Sequence, residues 1–107
     1  MPDKINLAAE HDALPGLWSP ATVAALNDHQ VKVVKLQGEF HWHKHSHEDE
    51  LFLVTKGRLT MQLRDGDVEL GPGELIVVPK GVEHCPRADE ETHVVLVEPG
   101  TTVRTGD

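Results

Sequence analysis

The stretch Gly38–Gly57, GEFHWHKHSHEDELFLVTKG, decides the reading of this chain, because it places His at 41, 43, 45 and 47. A β-strand sends alternate side chains to opposite faces, so four His of one parity point the same way if the strand runs unbroken. Glu50 then opens a second apolar run, Glu50 to Thr55, after the acidic turn Glu48-Asp49. Further on, His84 stands behind the segment Gly73-Glu74-Leu75-Ile76-Val77-Val78-Pro79-Lys80-Gly81. Neutral imidazole together with carboxylate is the donor set that borderline divalent cations take, so these residues read as a candidate metal site.

Working outward, the chain breaks into short strands. Upstream, Lys4 to Asp12 has Ile5, Ala8 and Ala9 at helical spacing behind an Asp3 cap, and Leu14-Pro15-Gly16 ends any helix there. Ala21–Leu26 and Val31–Leu36 flank Asn27-Asp28 and read as strand, turn and strand. The His strand itself runs from about Glu39 to His45. Downstream, Leu59, Met61 and Leu63 alternate with Arg58, Thr60 and Gln62, the mark of a sheet with one wet face. Asp65-Gly66 reads as a tight hairpin whose central pair takes positive φ. Val68-Glu69-Leu70 pairs back, and the continuously apolar Leu75–Val78 reads as a strand buried on both sides. Thr92–Val97 is the last strand, and Pro99-Gly100 begins a loosely held polar tail. Short strands punctuated by Gly and Pro indicate an all-β sandwich or barrel. The expected division is an N-terminal arm or short helix over 1–20, a barrel over 21–99 and a tail over 100–107.

Composition narrows the function classes. The chain has 107 residues and a net charge of −8 with no Lys/Arg cluster, which argues against nucleic acid or an anionic membrane as partner. One Cys cannot form an internal disulfide, and no basic segment followed by an apolar one opens the chain, so the expected compartment is the cytoplasm. No apolar run approaches the length that spans a bilayer.

The spacings resemble the two motifs of the cupin superfamily. His43-Lys44-His45, four residues, Glu50, six residues and Gly57 fit the first; Gly73, five residues, Pro79-Lys80-Gly81, two residues and His84 fit the second. Gly38 stands one residue closer to His43 than in the family, and Ala88 stands where the second motif closes on Asn. The resemblance implies a jelly-roll barrel, the cupin double-stranded β-helix, in which His43, His45, Glu50 and His84 hold a divalent metal ion (Fe, Mn, Ni or Zn). The residues support this on their own: 43 and 45 share a strand face, Glu50 begins the antiparallel partner, and the Pro79-Lys80-Gly81 turn presents His84 from a separate hairpin.

The resemblance further implies a dioxygenase-like oxidoreductase acting on a small, largely apolar or enolic substrate, with Glu50 as ligand or as catalytic base. The alternatives are a non-catalytic cupin that binds metal and a small ligand, and a sugar isomerase-like cupin. An isomerase of sugar phosphates needs cations around the phosphate, and none of Lys56, Arg58, Lys80 or Arg87 falls at an inward position. Phe52, sharing parity with Glu50, and Met61, on the apolar face of its strand, are expected to line the substrate pocket, with His41 in its wall. His47 matches no ligand position, and Cys85, beside His84, is expected in the barrel wall. His11, His29 and His93 read as surface or strand histidines, with His93 able to face the cavity. Phe40 and Trp42 have the parity opposite to His43 and are expected to pack against the arm or a second subunit, since small cupins pair as homodimers through an outer sheet.

Overall fold

The computed structural model describes residues 2–107 and begins with one short helix, α1 (Leu7–Asp12). Its cap is Asn6 rather than Asp3: the Asn6 carboxamide oxygen accepts from the backbone N–H of Ala9 at 3.0 Å, the reach an N-cap side chain has and Asp3 lacks. Seven strands follow, β1 (Ala21–Leu26), β2 (His29–Glu39), β3 (Glu50–Lys56), β4 (Leu59–Leu63), β5 (Gly66–Leu70), β6 (Leu75–Val78) and β7 (His84–Pro99). All pair antiparallel, in the order β1-β2-β7-β3-β6, with β4 joined to β7 and β5 to β4.

The long β7 organises the fold. Its first part pairs with β4 (His84↔Leu63 through Arg87↔Thr60), its second with β3 (His93 through Val97), and β2 follows it on the other side with a bulge between Leu36 and Gly38. Alternation then sorts the side chains. Val34, Leu36, Phe52, Val54, Val94 and Leu96 point inward and meet Leu59, Met61, Leu70 and Val78 in one core. Val33 and Val95 point outward, where Leu14 and Leu7 of the α1 region cover them.

Several expectations need correction. The strand through the His stretch ends at Glu39, and of the loop that follows only His43 bridges, to His84. Its partner there is the first residue of β7, and no second pair follows, so the bridge does not grow into a ladder. In the β4–β5 hairpin the last pair is Leu63↔Gly66, so Arg64-Asp65 are the central residues and keep negative φ; Gly66, at φ 143°, takes the conformation that leads back into β5. β6 is not buried on both sides. It pairs only with β3, and Leu75 and Val77 are 54% and 48% exposed on its outer face. His11 is fully buried, its ring nitrogens 3.0 Å from the Leu7 carbonyl and 2.9 Å from that of Val94. His93 stacks on it at 4.7 Å, on the outer face and away from the cavity. Among the described residues no helix is long and apolar enough to cross a membrane.

The polar tail is held rather than loose. The Asp107 carboxylate accepts from the Ser46 N–H at 3.0 and 3.1 Å and from the Ser46 hydroxyl at 2.9 Å, while Asp107 N–H donates to the Lys44 carbonyl at 3.0 Å. Gly106 lies so close to the His loop that a Cβ there would sit 2.8 Å from both the His43 Cβ and the Lys44 carbonyl oxygen. Gly57, in the β3–β4 turn, is equally constrained. Its φ is +88°, and an added Cβ would come within 2.6 Å of the Thr92 hydroxyl and 2.9 Å of the Glu91 carbonyl oxygen.

Candidate metal centre

Two loops meet at the centre, and backbone hydrogen bonds hold them together. His43 N–H donates to the His84 carbonyl at 3.0 Å and His84 N–H to the His43 carbonyl at 2.9 Å, while Gly81 N–H reaches the His45 carbonyl at 2.8 Å. The Asp49 carboxylate accepts from Lys80 N–H at 2.9 Å, tying the turn before β3 to the turn that presents His84. Glu50 comes from the first position of β3, pointing inward with Phe52 and Val54. The structure thus gathers the four residues that spacing singled out: one donor atom from each of His43, His45, Glu50 and His84 lies within 4.8 Å of all the others. Among the described residues this is the one such group.

The donors are oriented for a cation. His84 Nδ1–H donates to the Val82 carbonyl at 3.0 Å and His43 Nδ1–H to the His41 carbonyl at 2.9 Å, which leaves the Nε2 lone pair of each ring directed inward. His84 Nε2, both ring nitrogens of His45 and Glu50 Oε1 are buried with no hydrogen-bond partner. Buried polar atoms without partners are costly, and the gathering of one from each of His45, Glu50 and His84 within 4.8 Å fits a metal ion. Glu50 Oε1 lies 3.4 Å from His45 Nε2 and 3.5 Å from His84 Nε2, close enough for attraction and wide enough for an ion between them.

Charge states follow from burial and from neighbours. Burial above all, with His84 and His45 adding to it against the His41 carbonyl, lowers the His43 pKa to about 4, so this ring is neutral at ordinary pH. Glu50 raises the His45 pKa against burial. Burial alone would push the Glu50 carboxyl up, but His45, His84 and Glu98 together hold it well below the usual carboxylate range, so Glu50 is ionised. Glu98, 3% exposed, is pushed up to about 7 by burial first and by the Glu50 carboxylate second, which puts its protonation in the neutral range. Lys32 Nζ stands 3.1 Å from Glu98 Oε1. Sequence reasoning passed over Glu98; its even parity with Val94 and Leu96 was the signal that it points inward beside Glu50.

A half-open pocket lies beside the four residues. Trp18, Val34, Leu36, Phe52, Pro86 and Leu96 form an apolar wall, and His43 and Glu50 belong to both pocket and cluster. Phe52 is where parity placed it. Met61 lies off the wall, fully buried in the core. His41 sits exposed at the rim, its Nε2 2.9 Å from the Thr105 carbonyl, and stands beside His43 at 5.2 Å between ring centroids. His47 is exposed, and Cys85 is buried in the wall outside the cluster, with burial raising its thiol pKa. Phe40 faces the pocket, against parity, because the strand has already ended; it stacks on Trp18 of the arm at 5.0 Å. Trp42 packs under the Arg64 guanidinium, 3.8 Å from the ring centroid.

Comparison with known proteins agrees with this architecture. Residues 30–100 match the Cupin domain family, Cupin_2. The chain is a cupin. This cupin is 44% identical to a cupin-2 domain containing protein from Shewanella frigidimarina, with a TM-score of 0.87 over 89% of this chain and 93% of that one. It is 33% identical over 94 residues to YdbB of Bacillus subtilis, covering 87% of this chain and 83% of YdbB. It is also 34% identical over 80 residues to acireductone dioxygenase of the same organism, covering 70% of this chain but only 45% of that protein, so it spans less than half of the dioxygenase.

Proposed function

We propose that this cupin is a metal-dependent, dioxygenase-like oxidoreductase acting on a small, largely apolar, enolisable substrate. The observation that carries the reading is that His43 and Glu50 belong at once to the four-residue cluster and to the wall of an apolar pocket, so a molecule in the pocket meets whatever the cluster holds. The likeness to acireductone dioxygenase supports the reaction class. A divalent metal held by His43, His45, Glu50 and His84 would supply Lewis acidity and, as Fe or Mn, one-electron chemistry toward oxygen. The chain's own residues do the rest. Ionised Glu50 can accept a proton from an enolisable carbon or hydroxyl, Glu98, which titrates near 7, can hold a proton in the same interior, and Phe52, Leu36 and Leu96 exclude water. Metal analysis of the purified protein with oxygen uptake on diketones, catechols and thiols tests this. Fe or Mn with oxygen consumption is expected; tight Zn and no turnover on any of them would overturn it.

Proton competition follows from the donor set. His45, whose pKa Glu50 raises, must lose its proton before it can bind a cation, whereas His43, with its pKa near 4, is already neutral. Metal affinity therefore begins to fall as pH drops through the His45 pKa, which lies above the usual imidazole value of about 6.5, and falls again near pH 4 where His43 also takes up a proton, while a site of carboxylates alone would hold its full affinity down to about pH 4. Occupancy after dialysis against a weak chelator, with the chelator's own protonation corrected for, should drop between neutral and mildly acidic buffer. Equal occupancy in both would mean that the imidazoles are not ligands.

A homodimer is expected on the outer face of β3 and β6. The pairs Leu51↔Val77 and Leu53↔Leu75 put four apolar side chains on that face, and α1 does not cover Leu75 and Val77. Removing such residues from water stabilises by about 25 cal/mol per Å². Sedimentation should show a dimer at micromolar concentration, dissociated by replacing Leu75 and Val77 with Lys; a wild-type monomer would refute it.

A further inference from the structure

The held C-terminal tail brings one cation to the pocket. Arg104 is exposed, lines the same pocket as the buried Glu50, and places its guanidinium 5.9 Å from the Phe40 ring centroid. The rest of the lining is apolar apart from His43 and Glu50. Among the described residues no carboxylate lies within ion-pair distance of Arg104, although Arg58 and Arg64 each have one. Its position is not arbitrary. Thr105, the next residue, accepts from His41 Nε2 at 2.9 Å, and Gly106 is seated against His43 with no room for a side chain. The tail, held on the residue after Arg104, therefore carries an uncompensated guanidinium to a pocket whose lining includes two residues of the cluster.

We infer that the substrate carries a carboxylate or similar anionic group, which Arg104 receives at the mouth while the substrate's apolar body lies against Trp18, Phe40 and Leu36 and its oxygen faces His43 and Glu50. A guanidinium suits this role because it stays charged at every relevant pH and offers a planar fork of N–H donors that matches a carboxylate. Arg104 is the one cationic side chain among the lining residues, and the walls between it and the cluster are apolar, with no polar group to receive an anion. The inference deepens the proposed function and rests on it, in that the oxygen end is the one the cluster would engage.

The test uses zinc-loaded, full-length protein and two probes titrated by calorimetry: succinylacetone, a diketone whose carboxylate is remote from its two chelating oxygens, and its methyl ester. Wild type should bind the acid at least about tenfold more tightly than the ester, as loss of a hydrogen bond to a charged group implies, and added salt should narrow the gap. Arg104→Gln should abolish the preference by weakening the acid alone, leaving ester affinity and zinc content unchanged, and Arg104→Lys should restore part of it. Wild type without a preference, Arg104→Gln with the full preference, or zinc-loaded protein that binds neither probe overturns the inference. Zinc content, measured first, separates this from the metal reading. If the protein takes no zinc, the metal reading fails, and the same pair titrated without metal decides the role of Arg104 by the same criteria.

Discussion

His84→Ala should lower metal affinity by at least about a hundredfold while leaving a folded barrel. Loss of a hydrogen bond that merely orients a ligand already costs ten- to a hundredfold, so deleting the donor itself costs more. His84 is the most buried of the four, at 1% exposed, and its ring is set by the Val82 carbonyl, so no neighbouring side chain can swing in to replace it. The fold should survive because β7 keeps its pairing with β2, β3 and β4, none of which depends on the imidazole. His43→Ala should behave alike. The control is the double replacement of His41 and His47, one at the rim and one exposed, which should keep its metal. Elemental analysis with circular dichroism on all four proteins checks this. A fully occupied His84→Ala would sink the ligand assignment, and a metal-free double mutant would show that the rim histidines belong to it.

Gly57→Ala should be the most damaging single methyl group added anywhere in the chain. Holding a non-glycine residue at positive φ costs about 1–3 kcal/mol by itself. Here the new Cβ would also press on the Thr92 hydroxyl at 2.6 Å, and that hydroxyl accepts from Arg58 N–H and has the Arg58 and Glu90 carbonyls within reach of its one proton. Thr92 is fully buried in β7, so the collision is with the frame of the fold and not with a movable tip. We expect about 3 kcal/mol or more, a fall in Tm of roughly 12 °C or more in a domain of this size. Gly71→Ala is the comparison, since Gly71 has ordinary φ and its nearest neighbour, the Arg58 side chain, would be 3.4 Å from the added Cβ. Thermal melts that place the two variants within a degree of each other would refute the argument.

Much of the fold was legible because periodicity is local. The alternation of Leu59, Met61 and Leu63 survives as one buried stripe, and Asn27 does turn the chain between β1 and β2, at φ 55°. The four clustered residues were legible because fixed spacings between turns translate into fixed positions on a barrel. What parity could not supply was where a strand stops. Phe40 points into the pocket, and not away from it, because the ladder ends at Glu39 and the next hydrogen bond, Phe40 N–H to the Pro86 carbonyl, belongs to an irregular loop. Burial of Leu75 and Val77 was misjudged because an apolar run looks the same at the centre of a sheet and at its edge. The tail was misjudged because its anchors, Ser46 and His41, lie some sixty residues away in the chain, and no local pattern announces a contact of that range.

The central place of β7 also sets the order of events when the chain folds. The strand that joins β2, β3 and β4 is the last one in sequence, so those three have no common partner until His84–Pro99 is present. Nearly every pairing it makes spans a long loop, and loop-closure entropy must be met before such contacts contribute, which places this topology among slow folders of the millisecond-to-second range. Until then the apolar strands β3 and β6 have unpaired edges, the state in which chains associate wrongly. A chain cut before His84 should collect in aggregates, and refolding yield should fall as protein concentration rises.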